Sequence, residues 1–147
     1  MEKTDNTDRM STEDLWKMVA EPKNIYEDWN EISPYMDSFS FHEYLFQLAE
    51  QRSLNAAQLG KMALLSRSFS YQILSGERIP KRDIILRIAV ALSLDISETQ
   101  RLLCLASRGG LYPKIKRDSV IIFCLKNNYD IYKTDEILIS LGQQPLL

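Results

Sequence analysis

The chain has two cysteines, one histidine and five glycines in 147 residues, and each scarcity removes a class of function. Cys104 and Cys124 cannot build a disulfide framework, so a reducing cytoplasm is the expected compartment. Both lie in apolar helical stretches and are expected in the core. With His42 as the only histidine there is no Ser-His-acid constellation, and no His/Cys/Asp/Glu set stands at ligand spacing. No glycine-rich phosphate loop occurs. An enzyme, a metal site and a cofactor are therefore not expected. No apolar run approaches a membrane span, and no charged-then-apolar leader opens the chain.

What remains is a globular composition, 45% hydrophobic and 26% charged, long enough to form a real core. Net charge is −2, which taken alone argues against nucleic acid. Its distribution argues the other way. Residues 1–51 carry twelve acidic and four basic side chains, residues 52–87 two acidic and seven basic, and residues 88–147 six acidic and seven basic. The basic block is the electrostatic footprint of a DNA-binding face.

That block coincides with a helix-turn-helix pattern. Asn55 is an N-cap with Gln58 three residues on, where a side chain can reach back to the cap backbone. Ala57, Leu59, Met62 and Ala63 mark a short helix by their apolar spacing. Leu64-Leu65 makes the turn. Ser66 caps a second helix, Arg67 to Ser75, which Gly76 closes. Phe69, Ser70 and Ile73 share one side of this helix, and Arg67, Ser68, Tyr71, Gln72 and Ser75 the other. A short helix with an outward Arg, Gln, Tyr and small hydroxyls is shaped to enter a major groove.

Leu54 to Ile96 resembles the Cro/repressor-type (XRE) helix-turn-helix family. The resemblance rests on the "N-x-x-Q-L" opening, the "S-R-S" start of the recognition helix, the "I-x-x-G-x-R-x-P" exit and the "I-x-x-I-A-x-A-L-x-L-x-I" helix that follows. The longer runs SFSYQILSGERIPKRD, ETQRLL and LYPKIKRDSVIIFCL are similar to a bacterial subgroup with a helical C-terminal extension, and together cover about three quarters of the chain. Two positions depart from the family pattern: Ala56 stands where many members have Gln, and Ser70 where an aliphatic core residue is usual. The resemblance implies an all-α protein with a lambda-repressor-like five-helix DNA-binding domain, an N-terminal helical arm and a C-terminal helix pair. It implies a cytoplasmic transcriptional regulator, a repressor, working as a homodimer on double-stranded DNA.

The domain boundaries follow: an acidic arm over 1–38 with its first ten residues disordered, the DNA-binding domain over 39–108, and the extension over 109–147. In the arm, Ser11 or Thr12 caps a helix that Pro22 stops, Ile25, Trp29 and Ile32 form one apolar side, and Ser33-Pro34 restarts the chain as an N-cap followed by proline at the first helical position. Its two tryptophans either pack internally or anchor a partner, and its acidic surface could compete with DNA for the basic face. Ser40-x-x-Glu43 is a capping box, and His42 beside it is expected on the surface. Arg82 to Ser93 and a helix opened by Ser97-x-x-Gln100 complete the domain. Shifted by 35 residues, Lys81-Arg82-Asp83 falls on Lys116-Arg117-Asp118, and Asp95-Ile96 on Asp130-Ile131; seven of 27 positions are identical. The fourth and fifth helices of the domain thus recur from Lys116 to Gly142. Such a pair needs a neighbour, either the fifth helix or another subunit.

In the expected mechanism Arg67 pairs with guanine O6/N7 and Gln72 with adenine N6/N7, Ser68 reaches a base or phosphate, and Tyr71 meets a thymine methyl or a phosphate. Asn55, Ser75, Arg78, Lys81 and Arg82 hold the backbone and fix the register. Arg82 has an alternative as a helix-start residue paired with Asp83 or solvent. A single module binds weakly, so two copies on a two-fold operator are expected, the C-terminal pair with Phe123, Ile131, Ile137, Leu138 and Leu141 being the first candidate for the dimer surface. The rival reading is a protein-interaction or antitoxin-like module, since Phe69, Tyr71 and Leu74 make the second helix more aromatic than a typical reader.

Overall fold

The computed structural model describes residues 10–21 and 24–147, and the expectations for residues 1–9 and for Pro22 lie outside them. Among the described residues the chain is entirely helical, with nine α-helices, one 3-10 turn and no strand. None of these helices is long and apolar enough to cross a membrane. The chain forms two compact units, Met1–Phe39 and Ser40–Leu147.

In the first unit, Ser11 caps α1 (Thr12–Ala20) and Asn24 caps α2 (Ile25–Ile32), each accepting a backbone N–H. Ser33 does not act as the expected cap. It is the first residue of a 3-10 turn, Ser33–Tyr35, whose early Pro34 fits the fixed proline φ. Of the described residues in this unit only Ile32 is buried, whereas Trp16 and Tyr26 are 75% and 90% exposed.

The second unit holds α3 (Phe41–Gln51), α4 (Ala56–Ala63), α5 (Arg67–Ser75), α6 (Arg82–Ala91), α7 (Ile96–Leu105), α8 (Lys116–Lys126) and α9 (Ile131–Ser140). Both expected capping boxes form, Ser40 with Glu43 and Asn55 with Gln58. The N-cap of α7 falls two residues before the expected Ser97, because Asp95 and Glu98 make a third box with charge-assisted bonds at 2.7 and 3.1 Å. Helices α4 and α5 pack on each other and on α6 and α3, and α7 closes over α3 and α6. Leu45, Leu59, Ile73, Ile85, Ile88 and Leu102 form the centre of that core. Met62 is exposed instead, and the buried side of α4 is Ala56, Leu59, Gly60 and Ala63. Cys124 is buried, and burial pushes its thiol pKa up, but Cys104 lies exposed on the outer side of α7.

Few helix ends rely on glycine. Ser53, Leu64, Ser93, Ser107 and Asn128 take positive φ where helices stop, and only Gly76 and Gly142 join them. Six of these stops close with an N–H reaching back five residues, from Leu54 to Ala49 and Leu94 to Ala89 among them, the bonding of a Schellman motif.

The 35-residue echo in the sequence is a physical repeat. α6 and α7 recur as α8 and α9, with Asp95 and Asp130 as N-caps at equivalent places. Arg82 binds Asp118 through two nitrogens at 3.0 and 2.8 Å, while Arg117 binds Asp83 at 2.7 and 3.0 Å. Each arginine also donates to two carbonyls, Gly109 and Gly110 for Arg82, Gln144 and Pro145 for Arg117. Leu111 and Leu146 are both buried, held by Gln100 and Asp135 through their backbone N–H groups at 2.6 Å. Each of these residues has its equivalent 35 positions away in the other copy, and the exchange is reciprocal, as at an isologous interface. The helix pair after Gly109 belongs to the same compact unit as α3–α7.

Candidate nucleic-acid interface

Helix α5 begins where its sequence says it must. Ser66 accepts the Phe69 N–H at 3.2 Å, and Gly76 ends the helix at φ +83°. The turn before it places Leu64 in the left-handed region, and Arg87 of α6 donates to the Leu64 carbonyl at 2.6 Å. This bond ties the turn to the body of the unit.

The departure at Ser70 has a partner that sequence reasoning missed. Ser70 is fully buried and donates to the Ser66 carbonyl at 3.0 Å. A Cβ on Gly60 of α4 would collide with Ser70 Oγ and stand 3.1 Å from its Cβ. The two helices therefore touch through a glycine and a serine. At the other end of α5, a Cβ on Gly76 would come 2.7 Å from His42 Nδ1. His42 is thus half-buried against the end of α5 and does not stand on the surface as expected.

With Ser70 and Ile73 inward, α5 turns Arg67, Ser68, Tyr71 and Ser75 to solvent, and Gln72 is half-buried. The Arg67 guanidinium lies 5.7 Å from the Tyr71 ring centroid, and that of Arg78 lies 5.5 Å from the Phe69 ring. Such cation-π contacts at exposed sites contribute about 0.5–1 kcal/mol each, enough to orient a side chain but not to immobilise it. Glu77 is the only acidic residue between Arg52 and Arg82, so this surface is positive.

The five backbone candidates divide. Arg78 and Lys81 are exposed on the segment that leaves α5. The hydroxyl of Ser75 donates to the Gln72 carbonyl and accepts from the Glu77 N–H, so it closes the helix end. Asn55 spends its side-chain oxygen on the Gln58 N–H, and what it presents outward is the start of α4. Arg82 must be reassigned. Its guanidinium is committed to Asp118, Gly109 and Gly110, and the alternative pairing with Asp83 is absent as well, because Arg117 holds that carboxylate. The Lys-Arg-Asp echo carried this signal: two arginines at equivalent places in a repeat do the same structural work. Arg108 was missed altogether. It donates to the Pro80 carbonyl at 3.1 Å and supports the segment bearing Arg78 and Lys81.

Of the residues named for a dimer surface, Ile131 and Leu138 are buried, Ile137 is half-buried, and Phe123 and Leu141 are exposed. Among the described residues no group of three or more His, Cys, Asp or Glu is placed to hold a metal ion. No protein-family model matches the chain, and neither a curated protein nor a solved structure matches it.

Proposed function

We propose that the chain is a sequence-reading regulator of the Cro/repressor (XRE) type, with α3–α7 as a lambda-repressor-like five-helix domain and α5 as the helix that enters the major groove. The observation that carries this reading is the outward face of α5: exposed Arg67, Ser68 and Tyr71 beside Gln72, with Arg78 and Lys81 on the segment that follows. Arg67 and Gln72 read guanine and adenine edges, Tyr71 contacts a thymine methyl or a phosphate, and the lysine and arginine beyond fix the register. On this reading the protein acts in the cytoplasm as a repressor, by occupying its DNA site without catalysis or cofactor.

Fluorescence anisotropy on duplex DNA from upstream of its own gene, over a salt series, tests this. Binding should weaken steeply with salt, and Arg67→Ala/Gln72→Ala should reduce affinity at least tenfold, since each bidentate base pair contributes about 1–3 kcal/mol. Equal affinity of the double variant, or no binding even at low salt, refutes the reading.

A second reading is favoured by one observation. The rings of Phe69 and Tyr71 line the same helix, and Tyr71 is 49% exposed, a composition that suits a protein partner. That module would bind through an apolar contact nearly insensitive to salt, and the same titration separates the two.

A further inference from the structure

The charges of the C-terminal extension are unevenly spent. Residues 109–147 hold five basic and four acidic side chains. Arg117 is bound to Asp83, and Asp118 to Arg82. Asp135 is buried and accepts the Leu146 and Leu147 N–H groups. Lys133 pairs with Glu136 at 3.5 Å. Lys126 and Asp130 stand exposed on either side of the turn between α8 and α9. That leaves Lys114 and Lys116, exposed at the start of α8 and joined to no carboxylate among the described residues. The same bonds that consume the other charges carry these lysines toward the segment that leaves α5. Arg108 donates to the Pro80 carbonyl and Arg82 to those of Gly109 and Gly110, so residues 108–110 lie against residues 80–82. Tyr112 then donates its N–H to Asp118, the carboxylate that Arg82 holds.

We infer that residues 112–116 form a second backbone-binding edge, which continues the one begun by Arg78 and Lys81 and takes phosphates of the duplex flanking the site read by α5. It rests on the DNA reading above. Residues 77–83 and 108–118 together hold seven basic and three acidic side chains. The two reciprocal ion pairs consume Asp83 and Asp118, so exposed Arg78, Lys81, Arg108, Lys114 and Lys116 are balanced by Glu77 alone. A cation excess whose matching anions are already consumed suits a polyanion, and duplex DNA carries one charge per about 1.7 Å of its axis. Lysine meets a phosphate as a point charge and reads no base. Tyr112, exposed two residues before Lys114, adds a hydroxyl that can donate to the same phosphates. The extension thus raises the affinity of the module without changing which sequence it prefers.

Fluorescence anisotropy of the full chain is run over a salt series on two duplexes of about 30 base pairs, three helical turns, one from upstream of its gene and one scrambled. Lys114→Ala/Lys116→Ala should flatten the dependence of log affinity on log salt by about 1.8, two phosphates at about 0.9 each. The affinity lost between about 50 and about 200 mM salt should then be about tenfold smaller than for wild type. Both duplexes should weaken alike, and Lys114→Arg/Lys116→Arg should keep the wild-type slope. Lys126→Ala/Lys133→Ala removes the same charge from α9 and from the far end of α8, about 15 Å along that helix from Lys116, and should leave the slope unchanged. All four lysines are exposed, so helical circular dichroism should be the same in every variant. A wild-type slope in Lys114→Ala/Lys116→Ala, or an equal flattening in Lys126→Ala/Lys133→Ala, overturns the inference. The α5 reading then still stands wherever Arg67→Ala/Gln72→Ala loses affinity for the upstream duplex. A wild-type chain that binds neither duplex removes both.

Discussion

Replacing Asp118 by alanine and Asp83 by alanine perturbs two equivalent places in the repeat, and the structure gives them unequal costs. The Asp118 side chain is 1% exposed and accepts three bonds, two from Arg82 and one from the Tyr112 N–H at 3.0 Å. Removing one partner of a buried ion pair costs about 3–5 kcal/mol. The Arg82 side chain is 28% exposed and can recover some hydration, so the lower end, about 3 kcal/mol, applies. Asp83 is 46% exposed, and removing it should cost about 1 kcal/mol, the upper end for a solvated pair. Urea denaturation followed by helical circular dichroism measures both. With a slope of about 1.5 kcal/mol/M, Asp118→Ala should lower the midpoint by about 2 M and Asp83→Ala by less than about 1 M. The Arg82→Ala/Asp118→Ala double variant should lose less than the two singles combined. The reasoning is falsified if Asp83→Ala costs as much as Asp118→Ala, or if the latter costs under about 1 kcal/mol.

Lys81→Ala and Arg78→Ala should each flatten the dependence of log affinity on log salt by about 0.9, whereas Arg82→Ala should leave that slope unchanged wherever the variant is folded; an altered slope for Arg82→Ala would return it to the DNA backbone. Gly60→Ala should lower stability by about 1–3 kcal/mol through overpacking against Ser70, measured by thermal or urea melts, and Ser70→Ala should recover only part of the loss because the Ser70 Cβ remains 3.1 Å away. Ser93→Gly and Ser107→Gly should each raise stability by up to about 1 kcal/mol, since a left-handed backbone costs an L-residue about 1–2 kcal/mol and glycine gives back part of that as chain entropy; a loss of stability would show the serines doing other work. A chromogenic thiol reagent should label Cys104 rapidly in the native protein and Cys124 only on unfolding, because burial both shields Cys124 and holds its pKa up; equal rates would contradict the burial of Cys124.

Local signals were legible in the sequence where a residue acts on its own backbone. Ser40, Asn55 and Ser66 announce their helices because capping needs one side chain and a neighbour three residues away. The start of α7 was misread because Ser97-x-x-Gln100 competes with Asp95-x-x-Glu98, and charge-assisted caps are the stronger of the two. Repetition was legible too, since Asp130-Ile131 repeats Asp95-Ile96 in type and place. Illegible from sequence were the relations between distant elements: that Arg82 turns to Asp118, that Arg108 reaches Pro80, that His42 sits under Gly76. The outward residues of α5 follow from helical periodicity, but Cys104 and Met62 show its limit. Periodicity identifies a side and cannot say whether a neighbour covers it.

Gly60 and Ser70 form a single unit of variation. Neither position can gain volume unless the other gives it up, so a change at one is acceptable only in the company of a change at the other, and related chains should alter them as a pair. The helix offered to a partner thus takes its depth from an atom that the preceding helix lacks.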